Sequence, residues 1–166
     1  MTGFVPVYGA SATVFTSTAL DSLASSSSWL AGWSSAVITN TYNDVLLSGR
    51  FKANATAPTA GQIQVWVVAA LNDTPAYPDT FDGTSKATTI TSADIRGAIA
   101  RNVFTVITDV TANRIYEMAP VNIAQFFGGV TPPKYQVFVA HSMVQALNIT
   151  ASAGGQMWIQ GETYPA

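Results

Sequence analysis

Residues able to do chemistry are sparse in this chain. His141 is the single histidine, so any histidine-dependent triad or multi-histidine metal site has to use it alone. By strand parity it shares a face with Val139 near the end of an extended segment. That placement favours a satisfied, partly buried structural histidine over a catalytic base. Cysteine is absent, which removes thiolate nucleophiles, thiolate metal ligands and disulfides. No Gly-x-Ser-x-Gly elbow, phosphate-binding glycine loop or dinucleotide fingerprint occurs. The expectation is a protein that is not an enzyme and takes no cofactor.

Three of the nine acidic residues, Asp73, Asp79 and Asp82, fall in one long loop, residues 72–87. Long loops in compact domains are often functional. Asp79 and Asp82, followed by Gly83, are weak candidates for calcium ligands, since calcium takes carboxylate and carbonyl oxygens. Their spacing matches no defined calcium loop. A proline-braced turn whose Asp side chains bond their own backbone accounts for the same residues, and no metal is expected.

The aromatic residues point to contacts rather than catalysis. Trp66 alternates with the core stripe of its segment and shares a face with Gln62 and Gln64. Trp158 shares a face with Gln156 and Gln160, and Phe138 lies opposite Tyr135, Val137 and Val139. Large aromatics on outer faces mark contact surfaces, so Trp66, Phe138 and Trp158 are candidates for a subunit interface or a sugar-stacking platform. The other reading is that the chain itself covers both faces of these strands. Trp29 and Trp33 read as core or edge residues.

The elements that must carry these side chains have a period of two. Over residues 44–53, Val45, Leu47, Gly49, Phe51 and Ala53 share one face and Ser48, Arg50 and Lys52 the other, the pattern of a half-buried antiparallel strand. Residues 62–71 repeat it with Ile63, Val65, Val67, Ala69 and Leu71. Residues 103–110 and 114–118 flank a Thr-Ala-Asn turn and predict a hairpin. Residues 134–142 set Lys134 and Gln136 outward, and residues 156–164 set Met157 and Ile159 inward with Gln156, Gln160 and Glu162 outward. Further strands are expected over 33–40 and within 12–20. Short helical turns are expected from Ser92, capped by Thr91 or Ser92, with Ile95 and Ile99 at helical spacing, and over 121–127, ended by Gly128 and Gly129. Residues 25–28 read as a polar serine loop and Gly154-Gly155 as a turn. Seven or eight strands without alternating long helices predict an all-β protein, an antiparallel sandwich or barrel. Its 166 residues suffice for one domain, expected over 20–166 and preceded by an arm or first strand over 1–19.

Composition narrows the partners. Only 10% of residues are charged while 48% are hydrophobic, against roughly 25% charge in ordinary soluble domains. A surface of Ser, Thr, Ala, Asn and Gln does little to hold copies apart electrostatically and suits packing against neighbours. The net charge of -2 and dispersed basic residues leave no footprint for nucleic acid. The longest apolar run, residues 65–71, is about a third of the roughly 20 residues a membrane-spanning helix needs. The first ten residues do not read as a secretion signal. The expectation is a soluble protein made in the cytoplasm.

Two stretches, Ala70-Leu-Asn-Asp-Thr-Pro-Ala-Tyr-Pro-Asp-Thr-Phe-Asp-Gly-Thr84 and Phe126-Phe-Gly-Gly-Val-Thr-Pro-Pro-Lys-Tyr-Gln-Val-Phe-Val-Ala-His141, resemble small virion structural proteins of tailed bacteriophages and prophages. The order of features is similar too: a Ser/Ala-rich lead into a tryptophan, then residues 42–50, then 58–66. The likeness spans about residues 20–164 and carries no catalytic motif. It implies a β-sandwich of jelly-roll kind, assembled as a homotrimer. The implied role is a capsid decoration or cement protein on the head surface, with the major capsid protein as partner. A carbohydrate-binding or tail- and fibre-associated module is the alternative.

Overall fold

The structure, a computed structural model, describes residues 6–15, 18–148 and 156–164. Its strands are β1 (Val7–Tyr8), β2 (Ala12–Thr13), β3 (Ala31–Ser34), β4 (Ile38–Thr39), β5 (Asp44–Lys52), β6 (Gly61–Ala69), β7 (Lys86–Thr89), β8 (Ala100–Thr108), β9 (Ile115–Asn122), β10 (Lys134–His141) and β11 (Gln156–Thr163). A short helix α1 (Ala93–Ile99) and a 3-10 turn (Ile123–Phe126) complete the elements. All pairings are antiparallel. One sheet runs β1-β11-β5-β9, with β2 also on β11; the other runs β7-β3-β10-β6-β8, with β4 also on β10. The protein is an all-β sandwich. No helix among the described residues is long and apolar enough to cross a membrane.

The sandwich follows from the alternation. Val45, Leu47 and Phe51 of β5, Ile63, Val65 and Val67 of β6, Tyr135, Val137 and Val139 of β10 and Met157 of β11 are all buried in one cluster between the sheets. Each such side chain contributes about 1.5–3 kcal/mol when removed from water. Ser92 caps α1 through its side chain, which accepts from the Ile95 amide, and Gly128 and Gly129 end the 3-10 turn with positive φ.

Several expectations change. Residues 103–110 and 114–118 do not form a hairpin: β8 pairs with β6 and β9 with β5, in different sheets. The Asp109 carboxylate accepts from the Thr111 amide and the Tyr116 hydroxyl and pairs with Arg114. Asn113 is left-handed at φ 58°. This turn carries the chain across the sandwich instead of back along one sheet. The strand expected over 33–40 is split into β3 and β4, because the Ser35 amide and hydroxyl both bond Val137 of β10. Leu71 is 70% exposed, since β6 ends at Ala69 and the chain turns away. Gln136 is fully buried, not outward, and Glu162 is only 8% exposed, lying opposite both Asp44 and Tyr8. Among the described residues of 12–20 the strand is limited to β2. The Gly154-Gly155 turn and residues 1–5 lie outside the described residues.

The second sheet is covered on both sides at its centre, where every residue of β10 after Lys134 is buried. After β6 the chain crosses its outer face to β7, at the far edge beside β3, and returns through α1 to β8. A second apolar cluster results: Val68, Phe81, Ile90, Ala100, Phe138 and Ala140, with Trp29, Leu30, Trp66, Tyr77, Ile95 and Ile99 packed on it. β3 can approach β10 only because residue 32 is glycine. A Cβ there would stand 2.2 Å from the Val139 carbonyl oxygen and 2.7 Å from the Phe138 ring. Gly32→Ala is therefore expected to destabilise the fold by about 1–3 kcal/mol through overpacking. Gly97→Ala, whose Cβ meets nothing within 4 Å, should be neutral or stabilising by up to about 1 kcal/mol. Urea midpoints at unchanged slope measure both.

Candidate functional site

His141 closes β10 inside the core and is fully buried. Its Nε2 lies 2.7 Å from the Leu23 carbonyl oxygen. A carbonyl only accepts, so Nε2 carries the proton and Nδ1 is left with a lone pair. Nδ1 is buried without a hydrogen-bond partner. Burial pushes the pKa down, outweighing the upward pull of the Leu23 and Met143 backbones. The ring is thus more enclosed and less satisfied than its sequence position implies. It pins the 20–26 segment to β10, together with the Ser26 amide, which donates to the His141 carbonyl at 2.7 Å.

The 72–87 loop is anchored by its own side chains. Asp79 holds a left-handed backbone at φ 57°, and its carboxylate accepts from the Thr91 amide and hydroxyl at 2.9 and 2.6 Å. These bonds, the hydroxyl first, hold its pKa below the usual carboxylate value. Asp82 accepts from the Thr84 amide and hydroxyl at 2.9 and 2.6 Å and from Lys86 at 2.7 Å. Chiefly through Lys86, its pKa is lowered to about 2. Both carboxylates are occupied by donors of the loop itself and of the residues just after it. Among the described residues no group of three or more His, Asp or Glu is placed to hold a metal ion. Beneath the loop, Gln136 accepts from the Gly83 amide at 2.8 Å and donates to the Ser35 and Thr84 carbonyls at 2.5 and 3.1 Å. Parity alone set this residue beside Lys134 on an outer face, so its role as the buried anchor of the loop was missed.

The three aromatic candidates part company. Phe138 is fully buried, its ring edge-on to Phe81 with centroids 5.7 Å apart, and it offers no interface. The outer-face excursion that covers it also covers Trp66, over whose ring the Arg96 guanidinium sits 4.9 Å from the centroid. For these two, the covering is intramolecular. Trp158 differs. It lies on the outer face of the first sheet, opposite Ser48 and Thr13, and lines a shallow groove with Ser48, Arg50, Glu117, Ala119 and Pro120. The Arg50 and Glu117 side chains pair across that groove at 2.9 Å.

A second concave feature was not foreseen. One end of the sandwich encloses a cavity of about 80 Å³ lined by Ile38, Tyr42, Val45, Tyr135 and Ile159, among others. The Tyr135 hydroxyl is buried without a partner, and burial raises its pKa far above the ordinary value. Tyr42 lies directly on Gly161, where a Cβ would come within 2.0 Å of its ring. In sequence, Tyr135 is indistinguishable from any core aromatic.

No protein-family model matches the chain, and no curated protein aligns with it.

The burial of His141 sets a pH dependence. Its native pKa lies below the ordinary 6.5, so below that pH the unfolded chain binds a proton that the native one does not. Its contribution is nil above about pH 6.5 and becomes destabilising as pH falls. It grows by at most about 1.4 kcal/mol per pH unit and levels off under the native pKa. The lowered Asp79 and Asp82 act in a separate window, losing their stabilisation only below about pH 4. Comparing urea midpoints from about pH 7.5 to about pH 5, His141→Gln should abolish the decline. An equal decline in both chains refutes the assignment.

Proposed function

We propose that the chain is a virion structural protein of a tailed phage or prophage, a capsid decoration subunit that stabilises the head by contacts among copies and with the major capsid protein. The observation that carries the reading is the strand order. With β1/β2 and β3/β4 each counted as one strand and β7 as an added edge, one sheet reads first-eighth-third-sixth and the other second-seventh-fourth-fifth. This nested order reads as a jelly roll, an architecture that recurs in viral capsid proteins and lectins. The resemblance of residues 70–84 and 126–141 to small phage virion proteins supports the same reading. So does the use of the polar residues: His141, Gln136, Asp79 and Asp82 all tie chain segments together. Mass spectrometry of purified particles of the encoding phage tests it. A head role predicts many copies per particle and a tail or fibre role a handful; absence from the particle refutes the proposal.

One observation favours a second reading, a carbohydrate-binding module on the same architecture. Trp158 stands in an open groove beside Pro120 and the Arg50–Glu117 pair. It thus offers an aromatic face with charged hydrogen-bonding groups beside it, as sugar recognition requires. On a glycan array, Trp158→Ala should weaken any binding by about tenfold or more, equivalent to about 1.4 kcal/mol. Trp66→Phe, which alters only the covered face, should leave it unchanged. An array without signal for the unaltered protein rejects this second reading.

A further inference from the structure

We infer that the cavity at the end of the sandwich beside Tyr42 is a binding site for an acetyl group, whose carbonyl oxygen accepts a hydrogen bond from the Tyr135 hydroxyl. The inference depends neither on the virion role nor on the groove at Trp158. It concerns a site between the sheets.

The site starts from a buried donor. Tyr135 stands near the start of β10, opposite Ile38 of β4 and Ala69 of β6. Its side chain is fully buried, yet its hydroxyl bonds no other group of the chain. A buried hydroxyl without a partner is a standing cost to a fold and calls for an explanation. Burial also raises its pKa far above the ordinary value, so the group stays neutral and able to donate. Asn40, the one amide side chain of the wall, is already spent. It donates to the Tyr42 carbonyl at 2.9 Å and accepts from the Tyr42 amide at 3.0 Å.

The remaining wall is mostly apolar. Val45 of β5 and Ile159 of β11 face Ile38 and Tyr135 across the space, with Ala10 and Ala12 beside them. None of the lining residues is charged, so the site suits a neutral group. Ordered water in such a space makes about two to four hydrogen bonds. Besides Tyr135, the wall has only the side-chain hydroxyls of Thr39 and Tyr42, which belong to exposed residues at the rim.

Two glycines seat that rim. Tyr42, 37% exposed, lies against Gly161, where a Cβ would fall 2.0 Å from its ring, and Gly9, where one would fall 2.7 Å from its hydroxyl oxygen. Neither glycine has a positive φ, so space for Tyr42 accounts for both. The wall is therefore fixed by packing before any ligand arrives, which lowers the cost of binding.

Size and polarity together select the occupant. An apolar cavity of about 150 Å³ takes the six carbons of benzene. In proportion, about 80 Å³ takes about three to four heavy atoms. One accepting oxygen surrounded by carbon at that size describes an acetyl group. Its oxygen would meet Tyr135, its methyl would meet Ile38, Val45 and Ile159, and its substituent would leave past Thr39 and Tyr42. An N-acetylated sugar and a free small amide both carry this group.

Carbon–proton NMR of the whole chain, following the methyl groups of Ile38, Val45 and Ile159, reads occupancy. Acetamide and the methyl glycosides of N-acetylglucosamine and glucose are the test molecules. At least one acetylated molecule should shift these methyls, with a dissociation constant of about millimolar order, as a fragment of this size allows. Tyr135→Phe should weaken that binding about fivefold or more. Its thermal midpoint should equal or exceed that of the unaltered chain, because the deleted oxygen has no bond within the chain to lose. Shifts from the acetylated glycoside and not from the glucoside assign the acetyl group to a sugar. Shifts from acetamide alone assign it to a free small amide. The inference is overturned if neither acetylated molecule shifts the methyls, if the glucoside acts as well as its acetylated counterpart, or if Tyr135→Phe binds equally. A Tyr135→Phe chain of lowered midpoint, with no shift in the unaltered chain, identifies the occupant as trapped water and equally overturns it.

Discussion

β10 is enclosed on both faces, and the remaining architecture is arranged around that enclosure. On one side Tyr135, Val137 and Val139 face the first sheet across the core. On the other, Phe138 and Ala140 lie under Phe81 and Ile90. A single sandwich supplies only the first of these layers. The second requires the chain to leave β6, cross the sheet and return through α1 before β8 can pair. Gly32 lets β3 close against β10, and Gln136 fastens the crossing loop from below. A buried amide with both N–H groups and its oxygen bonded orients a loop more specifically than another apolar side chain would.

This arrangement makes the molecule two-sided. The outer face of the second sheet is covered around Phe138 and Ala140 of β10 by the chain itself, whereas that of the first carries half-buried polar residues and Trp158. Polar chemistry is drawn inward as well. Ser34 bonds Thr88 at 2.8 Å within the second sheet, and His141 is spent on the Leu23 carbonyl. Three ion pairs occur among the described residues, all of them exposed. Exposed pairs contribute about 0–1 kcal/mol each, so the fold rests on apolar burial and backbone pairing.

Where one face of a strand is wet, its burial was legible in the sequence. β5 alternates in burial residue by residue as its side chains do, and the start of α1 at Thr91 or Ser92 and the Gly128-Gly129 stop were readable from local chemistry. Alternation failed where a distant segment covers the second face. In β10 every residue after Lys134 is buried, and parity could not distinguish Phe138 under a lid from Phe138 in water. The lid is contributed by residues far away in the chain, and no local pattern reports them. The β8–β9 connection failed for a related reason: a turn sequence specifies that the chain reverses, but not whether it rejoins the same sheet. Of the aromatic candidates, Trp158 lines an open groove on the outer face of the first sheet, where no distant segment is laid over it.

The scarcity of charge and the state of the edges belong to one physical problem. With a net charge of -2, repulsion between copies is weak, and unpaired strand edges are then the main route to uncontrolled stacking. Among the described residues the edge strands β1 and β2 are two residues long, β7 is four, and β9 carries Glu117 and Pro120. β8, the longest edge, runs along the flank where Phe104, Val106, Phe126 and Phe127 are incompletely covered. Short or interrupted edges limit such stacking in a weakly charged chain.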